Sequence, residues 1–266
     1  MNNNTKLGLG GHSFIGELGN DPEASFDEQC AIVSACLDNG VVWIDTTYYQ
    51  ERFALGKVLQ HLGRRSEARI TAWNFFREPG NDDRLTGFAP YTLDSLGVQL
   101  AELQTDFLDL LVIHSHDDVE LLRREIELAS IWRAAGWVRE VGLGMARRED
   151  LENLPAGHPI TRVLAPYNAF NVQAANLFRE AKVRGMDTIA MSPFVRGWNL
   201  DRLEADRKPA AAATLLRWVT TQEIVDTVFV SMRRAEWVGT NLAAEMQGPL
   251  SAEESSLVRE LTDSLK

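Results

Sequence analysis

Carboxyl, phenol and imidazole side chains follow two apolar runs of this sequence. Asp45, Tyr48 and Tyr49 come at the end of VVWIDTTYY, and His114 ends FLDLLVIH. Side chains of these three types act as general acids and bases when they reach the same substrate atoms. The residues therefore indicate proton-transfer chemistry, provided that the fold brings the ends of both runs to one place.

A pair of cations forms the second chemical signal. Arg233 and Arg234 follow the run VFVSM and precede a helical pattern that starts near Ala235. The N-terminus of a helix binds anions through its backbone N–H groups, whereas cations at that end oppose the helix dipole. A bound anion therefore explains the pair better than the alternative, which is two solvated arginines.

The elements that must position these side chains alternate along the chain. Short apolar runs rich in β-branched residues predict eight strands, and several are apolar throughout, as in strands buried on both faces. The runs cover residues 7–11, 41–47, 68–75, 107–115, 138–145, 162–168, 187–193 and 226–232. Helical patterns lie between the strands, at residues 27–39, 92–104, 119–135, 174–185, 210–221 and 235–246. The second helix along the chain contains Lys57. A last helix begins at a cap formed by Ser251 and Glu254 and runs through residue 264.

Eight strands alternating with helices predict an α/β fold, a (β/α)8 TIM barrel, with residues 1–266 as one domain. A doubly wound sheet is the alternative, but no G-x-G-x-x-G follows a strand, and LGLGG at residues 7–11 lacks that spacing. In a TIM barrel, functional residues gather where the carboxyl ends of the strands meet. The two chemical signals would then face one site.

Composition excludes several classes of protein. The 266 residues are 45% hydrophobic and 24% charged, which is typical of a globular chain and not of a disordered or fibrous one. The 27 basic residues against 38 acidic ones give a net charge of −11, which argues against nucleic-acid and anionic-membrane partners.

No signal peptide or membrane span is recognisable in the sequence. Cys30 and Cys36 are expected to be reduced core thiols. We expect a cytoplasmic protein, a monomer or weak homo-oligomer, that acts on a small molecule.

No metal site is predicted. His116, Asp117 and Asp118 lie close together, but the sequence shows no third ligand from elsewhere. We expect the two aspartates to cap the helix that starts at residue 119.

Five segments carry a resemblance to a known family. WIDTTYYQERFALGKVL, DFLDLLVIHSHD, GWVREVGLGMARREDL, IAMSPFVRGW and VFVSMRRAEWVGTNL are similar, in this order, to segments of the aldo-keto reductase superfamily. The resemblance implies a barrel that binds NADP(H) and interconverts a carbonyl and an alcohol. It also implies catalytic roles for Asp45, Tyr49 and His114, with Tyr49 as the general acid. Tyr48 is the second choice, because the family pattern Asp-Thr-x-x-x-Tyr-Gly is one residue shorter here and Gln50 replaces its glycine.

The resemblance also implies which residues hold the cofactor and the substrate. The segment 192–197 resembles the loop that holds the pyrophosphate, and 231–241 resembles the segment that grips adenine and the ribose 2′-phosphate. The implied cofactor contacts are Ser192, Pro193, Phe194, Arg196, Gly197, Ser231, Arg233, Glu236 and Asn241. The expected substrate contacts are His12, Tyr48, Trp73 and His116, with Phe75 and Trp198 completing an aromatic pocket.

Two departures from the family pattern concern the chemistry. Trp73 stands where the family has its catalytic lysine, and none of the five lysines lies near a strand end that faces the site. Arg77 is the nearest cation in sequence, either as a substitute for that lysine or as an ordinary loop charge. Gly144, Met145 and Leu164 also replace the polar groups that hold the nicotinamide carboxamide in the family, and Met191 replaces the aromatic residue on which the nicotinamide ring stacks. Each unpaired polar group there would cost about 1–3 kcal/mol.

Three functions fit these observations. The first is an NADP(H)-dependent oxidoreductase, and the second is a non-redox lyase, dehydratase or isomerase that uses Tyr49 and His114 as acid and base. The third is a binding protein without catalysis. Because Asp45, a tyrosine and His114 are all present, an enzyme is favoured, and the resemblance favours the oxidoreductase.

Overall fold

The strands form a closed parallel barrel. The structure is a computed structural model that describes residues 5–16, 22–76, 92–197 and 200–263. Each strand is hydrogen-bonded to the next, and the last pairs with the first. The strands are Leu7–Leu9 (β1), Trp43–Thr46 (β2), Arg69–Trp73 (β3), Leu108–His114 (β4), Val138–Gly144 (β5), Ile160–Pro166 (β6), Asp187–Met191 (β7) and Thr227–Val230 (β8). The predicted (β/α)8 barrel and its eight strands are confirmed.

The described helices surround the barrel. They are Phe26–Asp38 (α1), Tyr49–Leu62 (α2), Ser95–Leu103 (α3), Val119–Ala134 (α4), Arg148–Glu152 (α5), Ala175–Val183 (α6), Lys208–Thr220 (α7), Glu236–Met246 (α8) and Ala252–Asp263 (α9). The predicted cap of α9 is present, since the Glu254 N–H donates to Ser251 Oγ at 3.1 Å and the Ser251 N–H donates to the Glu254 carboxylate at 2.8 Å. Helix α5 was not predicted, because five residues are too few to show a helical period. None of the described helices is long and apolar enough to span a membrane.

The barrel interior is filled by large side chains. A cluster of Trp43, Trp73, Leu110, Val112, Leu164, Ile189 and Phe229 packs inside the strands, whereas Ile44, Ile70 and Ala72 belong to the larger core around them. Because side chains alternate across a strand, Asp45 and His114 point to the same side as Trp43 and Val112. The interior therefore presents Asp45, Trp73 and His114 at the carboxyl ends of three neighbouring strands.

Candidate active site

Aromatic rings line the carboxyl ends of β1 to β4. The Tyr48 ring lies nearly parallel to the rings of His12 and Phe75, with each pair of centroids 6.3 Å apart. The Phe75 centroid lies 6.0 Å from that of Trp73 and 5.3 Å from that of His114. We call these five residues the aromatic row. It brings four predicted substrate residues together with the predicted catalytic histidine, His114.

The two adjacent tyrosines face different surroundings. Tyr48 is the extended N-cap residue of α2, with φ −101° and ψ 160°, and its ring belongs to the aromatic row. Tyr49 is the first helical residue and lines a cavity between α1 and α2 that also contains Phe53 and Lys57. The change from extended to helical backbone turns the two side chains apart. The structure therefore places the second choice, Tyr48, in the row with His114 and the first choice, Tyr49, in the cavity between α1 and α2.

Asp45 is a buried carboxyl group without a lysine partner among the described residues. Its Oδ1 accepts a hydrogen bond from the Trp73 indole Nε1 at 3.1 Å. Burial, reinforced by the neighbouring negative charge of Glu51, raises the pKa of Asp45 to about 8. The proton therefore stays on this carboxyl at neutral pH, and an aspartic acid–indole hydrogen bond stands where the resemblance implies an aspartate–lysine pair.

A second buried carboxyl group, Glu51, lies beside Asp45. It is completely buried, and its Oε2 accepts from the backbone N–H groups of Thr47 at 2.5 Å and Tyr48 at 3.1 Å. Its Oε1 lies 2.9 Å from Nδ1 of His12. A Cβ at Gly11 would lie 2.4 Å from Oε2, so glycine makes room for this carboxylate. Sequence reasoning missed Glu51, and the only signal was its position three residues after the helix N-cap.

A buried ion pair fixes the loops that carry the row. Arg52 is completely buried, and its Nε donates to Glu102 at 2.6 Å. Its Nη1 donates to the Thr47 carbonyl at 2.9 Å and its Nη2 to the Phe75 carbonyl at 3.1 Å. One guanidinium group therefore ties the loop after β2 to the loop after β3.

The environment of His114 keeps its imidazole neutral. Burial lowers the pKa of His114 below its usual value, although the backbone hydrogen bond with Ser115 opposes this effect. Asn74 holds the backbone at this point, because its Oδ1 accepts from the His114 N–H at 3.0 Å. A neutral imidazole at the strand end can donate or accept a hydrogen bond at a substrate oxygen.

The residues after His114 have structural partners. Nε2 of His116 lies 3.3 Å from the Glu125 carboxylate on α4. Asp118 caps α4 as predicted, because its Oδ1 accepts from the Leu121 N–H at 2.9 Å, whereas Asp117 instead pairs with Arg147. Within the described ranges, no group of three or more His, Cys, Asp or Glu residues could hold a metal ion.

The predicted anion site after β8 is built differently from the expectation. Arg233 is buried, and its Nε donates to the His12 carbonyl at 3.1 Å, so it holds the loop after β1. Arg234 is exposed just before α8, whose N-cap residue Ala235 makes no side-chain cap. The helix N–H groups and one exposed arginine thus remain as the candidate anion ligands. Of the other predicted contacts, Ser231 and Glu236 are exposed and Asn241 is half-buried.

The predicted pyrophosphate loop is a tight turn after β7. Ser192 and Val195 have positive φ angles of 57° and 49°, and residues 195–197 form a 3-10 turn that ends at Gly197. Asn168 supports the turn, since its Nδ2 donates to the Ser192 carbonyl at 2.8 Å. Of the predicted contacts here, Ser192 is exposed, Phe194 half-buried and Pro193 buried. Arg77, Trp198 and the side chain of Arg196 lie outside the described residues.

The positions at which the resemblance implies nicotinamide contacts carry apolar or small residues. Leu164 is completely buried in the barrel interior, and Met191 packs against the same cluster. A Cβ at Gly144 would lie 2.3 Å from Cζ3 of Trp73, so the indole occupies the space above this glycine. Trp73 thus fills the end of the barrel between β3 and β5.

Comparison with known proteins agrees with this architecture. A sequence model described as aldo/keto reductase family matches residues 6–211, most of the chain. The chain belongs to the aldo/keto reductase family. It is 23% identical over 200 residues to the aldo-keto reductase YhdN of Bacillus subtilis (strain 168), and the alignment covers 73% of this chain but only 59% of that relative. The resemblance seen in the sequence is therefore confirmed at the level of the family.

Solved structures of aldo-keto reductases share the fold. AKR11C1 from Bacillus halodurans, in its holo form, has a TM-score of 0.77 at 20% identity, with 96% of this chain and 91% of that chain covered. An aldo-keto reductase from Klebsiella pneumoniae in complex with NADPH has a TM-score of 0.74 at 19% identity, with coverages of 97% and 90%. The glycerol dehydrogenase AKR11B4 from Gluconobacter oxydans has a TM-score of 0.75 at 17% identity, with coverages of 96% and 90%.

Proposed function

We propose that this aldo/keto reductase family member is an NADP(H)-dependent oxidoreductase that interconverts a carbonyl and an alcohol on a small organic substrate. The observation that carries the proposal is the aromatic row, in which the Tyr48 and His114 rings both lie next to the Phe75 ring and Trp73 donates a hydrogen bond to Asp45. Membership of the family and the NADPH complex of the Klebsiella pneumoniae protein support the cofactor.

The phosphate end of NADP(H) fits the residues present. The uncapped N-terminus of α8 and the exposed Arg234 offer N–H donors to a phosphate group. The turn after β7 adds the exposed Ser192. These residues would hold the pyrophosphate and the 2′-phosphate.

The nicotinamide end is held by apolar contact. Among the described residues, the Asn168 amide is already engaged, because its Oδ1 accepts from the N–H groups of Phe170 and Asn171 and its Nδ2 binds Ser192. The surfaces of Trp73 and Met191 are the ring contacts that the structure offers. The carboxamide would then depend on groups that differ from those of the family pattern.

The proposed chemistry assigns the proton to Tyr48. When bound, NADPH would supply the hydride for the carbonyl carbon. The oxygen then needs a proton and pre-positioned hydrogen bonds, which Tyr48 gives as the general acid and His114 gives as a neutral donor. Asp45 keeps its own proton and positions the Trp73 indole. Trp73 and Phe75 form an apolar wall that excludes water from the reacting atoms.

A non-redox lyase, dehydratase or isomerase is the second candidate. It is favoured by one observation, which is that Gly144 and Leu164, packed against the Trp73 ring, stand where the family pattern has polar contacts to the nicotinamide. In that case Tyr48 and His114 would move protons on the substrate without a hydride, and the anion site after β8 would bind a phosphate-bearing ligand.

Ligand titration separates the two candidates. Tryptophan fluorescence of the purified protein is followed with NADPH and, in parallel, with ADP-ribose 2′-phosphate. The oxidoreductase predicts that NADPH binds more tightly than the truncated compound, because the nicotinamide adds contacts. Equal affinities would show that the nicotinamide has no pocket and would favour the non-redox enzyme, and a failure of both to bind would refute the cofactor assignment.

Two adjacent variants test the acid. We expect Tyr48→Phe to lower kcat for reduction of an aldehyde probe such as 4-nitrobenzaldehyde by about 100-fold or more, since a general acid contributes 10²–10⁴-fold. Tyr49→Phe is the matched control and should keep most of the activity, because Tyr49 lines the cavity between α1 and α2. Loss of activity in Tyr49→Phe alone would restore the first choice made from the sequence.

A further inference from the structure

The proposed reaction needs a positive charge near the phenol, and no described lysine supplies it. We propose that His12, which Glu51 holds in place, supplies this charge. The imidazolium form of His12 stabilises the Tyr48 phenolate that remains after Tyr48 has donated its proton. The inference rests on the proposed function, because it assigns a partner to the acid of that reaction. His12 and Glu51 are positioning residues in this scheme, since both act through Tyr48.

The geometry of the pair is that of a histidine oriented by a carboxylate. Nδ1 of His12 lies 2.9 Å from Oε1 of Glu51, and Glu51 is completely buried while the His12 side chain is 27% exposed. A carboxylate acceptor at Nδ1 fixes the orientation of the ring and places the proton of the neutral form on Nδ1. No described residue hydrogen-bonds Nε2, so the second nitrogen is left for a proton from solvent or a ligand.

The imidazole is also fixed against Tyr48. The two rings are nearly parallel, with an angle of 18° and centroids 6.3 Å apart. Arg233 holds the His12 carbonyl at 3.1 Å, and Ser13 next to it accepts from the Met232 N–H at 2.9 Å. The loop after β1 is thus locked to the loop after β8, and the imidazole has a defined place.

Charged and titratable groups surround His12. They are the Glu51 carboxylate from α2, the Tyr48 phenol before α2 and the Arg233 guanidinium after β8, which binds the His12 carbonyl, with Asp45 on β2 near Glu51. Glu51 also accepts from the backbone N–H groups of Thr47 and Tyr48, which hold its carboxylate in place. Asp45 keeps its proton, so Glu51 is the carboxylate that pairs with His12 in this scheme.

This arrangement makes reduction depend on pH. Because only the imidazolium form of His12 stabilises the phenolate, kcat/KM for aldehyde reduction should fall as the pH rises and that form is lost. A unit charge about 6 Å from another at an effective dielectric constant near 20 changes a rate by roughly tenfold or more. His12→Asn should remove this limb of the pH profile and lower kcat/KM at pH 6 by roughly tenfold, while the affinity for NADPH is unchanged.

Gly11→Ala tests the carboxylate independently. Its Cβ would lie 2.4 Å from Oε2 of Glu51 and displaces that oxygen, whereas His12 itself remains. We expect the same loss of the pH limb as in His12→Asn. His61→Asn on α2 is the matched control, because His61 packs against Phe26 on the outside of the barrel, and its profile should match that of the wild type.

A measurement on the free protein separates this inference from the proposed function. Proton NMR should show a slowly exchanging, strongly downfield imidazole N–H in the wild type and in His61→Asn, and no such signal in His12→Asn or Gly11→Ala. Absence of that signal from the wild type overturns the His12–Glu51 pairing, whatever the activity. An unchanged pH profile in a His12→Asn protein that still reduces the aldehyde overturns the role of His12. Failure of the wild type to bind NADPH refutes the proposed function, and with it the role of His12 in reduction.

Discussion

Replacing Asp45 by Asn should stabilise the protein above neutral pH. The folded state keeps the Asp45 proton up to a pH of about 8, whereas an unfolded chain loses it near pH 4. Because the folded state binds more protons in between, the free energy of unfolding falls as the pH rises from about 4 to about 8. Asparagine does not titrate, and its amide oxygen can accept the same indole hydrogen bond that Asp45 Oδ1 accepts at 3.1 Å. The variant therefore lacks this loss of stability.

The size of the effect follows from the pKa. A pKa difference between about 4 and about 8 corresponds to roughly 5 kcal/mol as an upper limit, at 1.36 kcal/mol per tenfold change. Local relaxation and water penetration reduce this value, so we expect the stability difference between Asp45→Asn and the wild type to widen by about 2–4 kcal/mol from pH 5 to pH 8.5. Urea unfolding at pH 5, 7 and 8.5 measures it.

A second buried aspartate provides the control. Asp109 is also buried, but its carboxylate accepts from Arg65 and Arg139 at 3.1 Å each and from the Ile70 N–H at 2.9 Å. Asp109→Asn should therefore destabilise the protein where Asp45→Asn stabilises it. A stability difference for Asp45→Asn that does not change with pH would show that Asp45 is ionised in the folded protein. A large loss of activity at pH 7 in that variant would refute the role of Asp45 as a neutral group.

Two further predictions concern packing around the aromatic row. Arg52→Met leaves Glu102 buried without its cation and should lower the free energy of unfolding by about 3–5 kcal/mol, whereas Arg123→Met, which breaks a surface pair, should change it little. Chemical denaturation of both variants checks this, and equal effects would contradict it. Gly144→Ala should cost about 1–3 kcal/mol, because its Cβ overlaps the Trp73 ring, and adding Trp73→Leu should recover part of the loss in a double-mutant cycle. Additive effects of the two substitutions would show that the positions are not in contact.

The barrel and the strand-end residues were predictable from local patterns. The alternation of apolar runs with helical periods predicts a barrel in which the strand ends meet. In the structure Asp45, Trp73 and His114 lie at the carboxyl ends of three neighbouring strands. This prediction does not depend on which side chains touch, so it holds even though Trp73 stands where the family pattern has a lysine.

The choice between Tyr48 and Tyr49 could not be made in the same way. Both residues sit where extended backbone becomes helical, and a shift of one residue at a helix start rotates a side chain by about 100°. The boundary is set by the Glu51 carboxylate, which accepts the Thr47 and Tyr48 N–H groups. The Glu51 carboxylate also pairs with His12, which lies 39 residues away in the chain, and no local pattern reveals such a contact.

The overlap between Trp73 and position 144 also imposes an order on evolutionary change. A tryptophan that arose at position 73 opposite any side chain at 144 would have met a Cβ 2.3 Å from its ring, whereas a glycine at 144 opposite a smaller residue leaves only an unfilled space. A step that creates a small void is tolerated better than one that drives two groups together. In a lineage that exchanged a lysine for Trp73, we therefore expect the loss of the side chain at position 144 to come first. For the reverse route we expect the indole to be removed before a serine or alanine returns.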